Sequence, residues 1–76
     1  MTTRWRVHGY VEGTSFLYRI TEYYDTYYVD VYEGILILRR SLSKHDSLSD
    51  AIEAINEHVQ ERFEANPDEF EVEEED

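Results

Sequence analysis

The chain of 76 residues has no cysteine, one proline, three glycines and, among its seven basic residues, a single lysine. Without cysteine it can form neither disulfide bonds nor thiolate metal sites. No apolar run approaches the ~20 residues that cross a membrane as a helix, and no signal-peptide pattern is present. We therefore expect a soluble protein of the cytoplasm, or of the host cell cytoplasm if the protein is viral.

Motifs that carry catalysis or bind a cofactor are also missing. The sequence has no phosphate-binding loop, no dinucleotide fingerprint, no His-Glu-x-x-His pair and no calcium-loop spacing. The three histidines are dispersed, and His58 has only Glu57 and Glu61 beside it as possible metal ligands. We predict no enzyme activity, no cofactor and no metal site.

The clearest secondary-structure signal is a helix over residues 47–66. Ser47 and Asp50 have the spacing of a capping box, in which the serine hydroxyl accepts a hydrogen bond from the amide three residues on. Asn66 before Pro67 predicts where the helix ends. Apolar residues recur at three- and four-residue steps and predict one buried face: Leu48, Ala51, Ile52, Ile55, Val59 and Phe63.

The opposite side of this helix is acidic. At about 100° per residue, five carboxylates fall within about 80° of one another, and we call them the acidic stripe: Asp50, Glu53, Glu57, Glu61 and Glu64. Like charges four residues apart destabilise a helix slightly. The stripe is either a solvated face or a surface that binds something basic.

Alternation of apolar and polar residues predicts four strands before the helix, at 4–12, 15–24, 27–32 and 35–40. Two-residue turns between them predict an antiparallel meander in which Gly9 lies opposite Tyr18. Residues 41–46 are polar and are expected to connect the sheet to the helix. The predicted core face of the sheet has ten residues: Trp5, Val7, Val11, Phe16, Tyr18, Ile20, Val29, Val31, Leu36 and Leu38.

These elements predict an α+β fold of two layers, a four-stranded antiparallel β-meander packed on one C-terminal α-helix in the order ββββα. Residues 1–66 form the single domain. Residues 67–76 form an acidic tail that we expect to be flexible, because dense like charge opposes folding. As alternatives, Phe70 and Val72 alternate with carboxylates and could add a short edge strand or dock in a groove of a partner.

The other face of the sheet has no predicted helix to cover it. Tyrosine and arginine are enriched at interface hot spots, so this face supplies a second set of partner-binding or dimer candidates: Arg6, Tyr10, Arg19, Tyr28, Tyr32, Ile37 and Arg39. Three alternatives stay open. The face is simply exposed, it is covered by the tail, or it is a platform for nucleic acid.

The formal net charge of −11 opposes non-specific binding to nucleic acid, which requires cations. We predict a small acidic protein-interaction module, most simply an inhibitor that binds a basic, nucleic-acid-binding surface of a larger protein. A compact, acidic, cysteine-free chain resembles phage- and virus-encoded inhibitors of host defence, such as anti-CRISPR and anti-restriction proteins. That resemblance covers size, charge and two-layer build, and it transfers no site residues.

Two other functions are compatible with the sequence. One is binding of single-stranded nucleic acid through the arginines and tyrosines of the uncovered sheet face. The other is a salt-adapted structural homodimer that is joined through the same face and whose acidity serves only solvation. No membrane partner is expected.

Overall fold

The computed structural model describes residues 2–34 and 36–75 of the chain. Along these residues the elements are β1 (Thr3–Val11), β2 (Thr14–Tyr23), β3 (Thr26–Glu33), β4 (Leu38–His45), α1 (Leu48–Phe63) and β5 (Glu69–Glu75). The strands form one antiparallel sheet in the order β4-β3-β2-β1-β5. The α+β class and the four-strand meander are confirmed, but the sheet has a fifth strand, which follows the helix.

The hydrophobic core lies between α1 and one face of the sheet. Ala51, Ile55 and Val59 are the buried residues of the helix, and they lie on its predicted apolar face. The sheet contributes seven buried residues: Val7, Val11, Phe16, Tyr18, Ile20, Val29 and Val31. Trp5, also predicted for the core, is partly buried at its margin.

The first two hairpins turn one residue earlier than predicted. Their two-residue turns are Glu12-Gly13 and Tyr24-Asp25, and all four residues have positive φ. That conformation belongs to the type I′ turn, whose twist matches the flanking strands. Gly9 therefore lies opposite Phe16 rather than Tyr18. The register moves by two residues, an even number, so every side chain keeps its predicted face.

The third hairpin differs more, and it corrects the predicted core. Leu36 and Leu38 are not buried but 77% and 65% exposed, because the chain is still turning at Leu36 and joins the sheet only at Leu38, the first residue of β4. The Ile37 amide donates to the Gly34 carbonyl at 3.1 Å. The fourth strand runs instead through the predicted loop, and a register irregularity opposite Val29 and Asp30 directs Leu42 towards the core. Ile35, the first residue of the predicted fourth strand, lies outside the described residues.

The acidic tail forms β5 instead of remaining flexible. Glu69–Glu75 pairs antiparallel with β1, which places Val72 opposite Val7 and Phe70 opposite Gly9. Successive side chains of a strand point to opposite faces, so Phe70 turns inward, where its ring packs on Phe16 at a centroid distance of 6.0 Å. Alternation of apolar and charged residues therefore outweighs the density of like charge in this segment.

The two ends of α1 are formed differently. The Asp50 amide donates to the Ser47 hydroxyl at 3.1 Å, so Ser47 is the N-cap as predicted. The helix ends at Phe63, with Glu64 as a left-handed C-cap at φ 54°, earlier than the predicted end at Asn66. A non-glycine residue in this conformation costs about 1 kcal/mol. Over the described ranges, no helix has the length and apolarity needed to span a bilayer.

Candidate functional site

The acidic stripe lies on the solvent side of α1. All five of its residues are exposed, and the buried residues of the helix are on the other side. Glu53, Glu57 and Glu61 follow one another at steps of one helical turn, about 6 Å along the axis. Because packing on the sheet fixes the helix, these carboxylates project from a rigid support.

The carboxylates of the stripe have no internal cation. Among the described residues, none of them lies within ion-pair distance of a basic side chain. Arg62, the one arginine of α1, turns away from the stripe. Its guanidinium is 3.7 Å from the Glu33 carboxylate and lies over the Phe63 ring, 4.7 Å from the centroid. The stripe is therefore an array of uncompensated negative charge.

The carboxylates of β5 are placed differently, because they lie on the uncovered sheet face beside its cations. The Arg6 guanidinium donates to Glu73 at 2.8 Å, and the Arg19 guanidinium pairs with Glu75 at 3.3 Å. The tail does not lie over this face, because β5 joins the sheet edge to edge with β1, and its carboxylates reach these cations from beside them.

His8 joins this network of β5. Its Nε2 atom is 3.2 Å from a Glu73 oxygen and 3.7 Å from a Glu71 oxygen. The hydrogen bond from Arg6, followed by that of His8, lowers the pKa of Glu73 below its ordinary value. Three cationic or ionisable side chains of the sheet are thus engaged within the molecule.

The remaining candidates of the sheet face are more accessible. Tyr10 and Tyr28 are 48% and 40% exposed, and Arg39 is exposed as well. The Arg19 guanidinium lies over the ring of Tyr32, 5.7 Å from its centroid. Ile37, which was predicted on this face, is instead part of the turn before β4. Ile37 nevertheless lines a depression together with Leu17 and Tyr32.

Between β1 and β4 the uncovered face contains a depression of about 480 Å³. Arg4, Arg19 and Arg39 line it together with Tyr23 and Tyr28, and the carboxylate of Asp30 also borders it. This is a small basic area in an acidic protein, and three of the predicted face residues line it: Arg19, Tyr28 and Arg39.

A polar cluster that the sequence does not predict lies at the edge of the core. The Tyr18 hydroxyl and His58 Nδ1 share a hydrogen bond of 2.6 Å, and burial raises the pKa of Tyr18. Nearby, the hydrogen bond from Arg40 lowers the pKa of Glu33. His58 is therefore a packing partner of Tyr18 rather than a member of the acidic stripe.

Comparison with known proteins finds no family model that matches the chain, and no curated protein or solved structure that is significantly similar to it. Its function is therefore argued from its own surfaces.

Proposed function

We propose that this protein is a small acidic interaction module whose acidic stripe binds a basic surface of a larger protein, one that ordinarily holds nucleic acid. The supporting observation is that the carboxylates of β5 and those of the acidic stripe differ in ion pairing. Among the described residues, Glu73 and Glu75 of the tail pair with arginines, whereas no carboxylate of the acidic stripe has a cation within ion-pair distance. By occupying the basic surface, the protein would inhibit the larger protein's binding of nucleic acid.

The spacing of the stripe is compatible with imitation of a phosphate backbone. From Asp50 to Glu64 the chain rises about 21 Å along a helix axis. It carries five charges over that length, against one phosphate per about 3.4 Å of axis in each DNA strand. The stripe is less dense than DNA, but its charges are held on a packed helix. Holding them rigidly reduces the ordering cost of binding.

Binding of single-stranded nucleic acid has less support. A nucleic-acid platform needs cations for the phosphates, and Arg6 and Arg19 are paired with β5 carboxylates. Phosphates approaching this face would meet Glu71, Glu73 and Glu75 as well. The depression beside Arg39 is too small an area to outweigh the repulsion between these carboxylates and the phosphates.

The test is a capture experiment from a host lysate, run at low and high salt with quantitative mass spectrometry. The wild-type protein is compared with Glu53→Lys/Glu57→Lys/Glu61→Lys. Because these residues are exposed, the fold should persist, which circular dichroism checks. Nucleic-acid-binding proteins should be enriched on the wild type and lost from the variant. The difference should be largest at low salt, because screening weakens charge pairs.

A matched control separates the stripe from net charge. The control reverses three exposed acidic residues elsewhere, Glu12, Asp46 and Glu69, to lysine. Each substitution of an acidic residue by lysine changes the charge by +2. Both triple variants therefore have a net charge of −5 instead of −11. Captured proteins that survive in both variants, or that are lost equally from both, contradict binding by the stripe. Labelled single-stranded DNA retained by the wild type, and released by Arg39→Glu, would favour the sheet face instead.

A further inference from the structure

One group of possible metal ligands lies outside the acidic stripe, on the uncovered sheet face. His8, Glu71 and Glu73 each offer one ligand atom, and these three atoms lie within 4.8 Å of one another. Two strands bring them together, β1 with the imidazole and β5 with the two carboxylates. Their sequence separation, more than 60 residues, is the reason that spacing motifs do not reveal them.

The distances match the coordination sphere of a small divalent ion. A tetrahedron with metal–ligand bonds of about 2.0–2.2 Å has edges of about 3.3–3.6 Å. The imidazole Nε2 is 3.2 Å from the Glu73 oxygen and 3.7 Å from the Glu71 oxygen. The two distances from the imidazole therefore fit such a tetrahedron, and the ligand atoms of Glu71 and Glu73 lie within 4.8 Å of one another, a separation that rotation of these exposed side chains can adjust.

Strand pairing organises the three ligands in advance. His8 lies directly opposite Glu71 in the β1–β5 ladder, and Glu73 is two residues on, so it shares the same face. Arg6 donates to one oxygen of Glu73 and His8 contacts the other.

We propose that His8, Glu71 and Glu73 form a binding site for a divalent transition-metal ion of the zinc class, which clamps β5 to β1. An imidazole nitrogen with two carboxylates suits zinc and its neighbours, whereas magnesium and calcium prefer sites made of oxygen alone. The site uses three protein ligands and leaves further positions for water. It is independent of the acidic stripe, and either proposal can fail without the other.

The test is a calorimetric titration of chelator-treated protein with zinc chloride. The buffer contains excess magnesium, which occupies carboxylates that bind cations without specificity. The variants are His8→Gln and Glu71→Gln. The latter is expected to retain β5, because Glu71 is exposed and its contact with His8 is 3.7 Å. The matched control is His45→Gln, which removes an imidazole from β4. A second control, Glu53→Gln/Glu57→Gln/Glu61→Gln, removes carboxylates from the helix.

The proposal predicts one saturable zinc site in the wild type. His8→Gln and Glu71→Gln should each weaken binding at least about ten-fold, since even second-shell changes weaken metal sites by that factor. Both controls should bind like the wild type. Zinc should also raise the thermal midpoint of the wild type but not of His8→Gln. Equal affinity in His8→Gln, loss of binding in the helix control, or no saturable binding would overturn the proposal.

Discussion

The helix α1 and the strand β5 are both rich in carboxylates, but the structure uses the two sets differently. In β5, Glu73 and Glu75 pair with Arg6 and Arg19 across the sheet. In α1, the carboxylates of the acidic stripe have no such partner among the described residues. Carboxylates therefore stabilise the fold in β5, whereas in α1 their charge is available to another molecule.

The difference shows that net charge alone does not locate a binding surface. Of the 18 acidic residues, Glu71, Glu73 and Glu75 of the most acidic stretch of sequence lie within ion-pair distance of a basic side chain, as does Glu33. The regularly spaced carboxylates of the acidic stripe have no such partner among the described residues. This contrast can be tested by variants that act on one region and leave the other in place.

The largest effect is expected from Gly9→Ala, which should expel β5. A Cβ atom at Gly9 would lie 1.8 Å from the backbone oxygen of Glu69, which belongs to β5 itself and cannot move aside while paired. We expect a loss of at least about 3 kcal/mol in the free energy of unfolding, measured by urea denaturation. Hydrogen exchange at Val72 should accelerate at the same time.

Gly13→Ala is the matched control for this substitution. Gly13 has φ 82° in the first turn, and a Cβ there meets nothing within 4 Å. It should cost about 1 kcal/mol from backbone strain alone and leave β5 protected. A stable Gly9→Ala protein with slow exchange at Val72 would show that β5 does not lie against β1 as described.

A smaller effect of opposite sign is expected at the end of α1. Glu64 is the left-handed C-cap of the helix, where glycine is the favoured residue. Glu64→Gly should raise the free energy of unfolding by about 1 kcal/mol, less the extra entropy of the unfolded chain. Thermal denaturation measures this, and a destabilised variant would mean that the Glu64 side chain makes a contact that offsets its strain.

The comparison itself is tested by neutralising each set of carboxylates. Glu53→Gln/Glu57→Gln/Glu61→Gln should leave the protein slightly more stable, because it removes two like-charge pairs at about 0.2–0.5 kcal/mol each. Glu71→Gln/Glu73→Gln/Glu75→Gln should lower stability, because Arg6 and Arg19 lose their partners. Urea denaturation at low salt compares the two. Equal changes in the free energy of unfolding would contradict the proposed difference between the carboxylates of α1 and those of β5.

The smallest effect concerns acid. The folded-state pKa values of Glu33 and Glu73 are lowered from 4.5 by their arginine partners, so their contribution is present above pH 4.5 and is lost as pH falls through the folded pKa. Stability should decline below about pH 4.5, and Glu33→Gln/Glu73→Gln should flatten that decline. An unchanged pH profile in the double variant would show that neither pair contributes to stability.

Much of the fold is predictable from the sequence because it depends on periodicity. Strand alternation identifies β1, β2 and β3, and the position of Ser47 identifies the start of α1. The third hairpin is not predictable in this way. The apolar residues 36–38 have the composition of a strand, yet they form a turn and the start of β4, and the core position goes to Leu42 in a polar stretch.

The candidate sites also differ in whether local sequence patterns predict them. The acidic stripe follows from helical spacing, and the structure keeps all five of its residues exposed. The pairing of β5 with β1 depends on contacts over more than 60 residues, and local patterns do not specify them. One sequence signal for this pairing exists in retrospect. Carboxylates occupy alternate positions of β5, and basic residues occupy alternate positions of β1: Arg4, Arg6 and His8.

The central claim is that the carboxylates of the acidic stripe, and not exposed carboxylates elsewhere on the protein, bind a basic partner. The most direct measurement is displacement of labelled duplex DNA from a captured nucleic-acid-binding protein by the wild type, by Glu53→Lys/Glu57→Lys/Glu61→Lys, and by the control reversed at Glu12, Asp46 and Glu69. The account predicts displacement by the wild type and the control, and none by the stripe variant. Equal displacement by all three, or failure of the wild type to displace DNA, would contradict it.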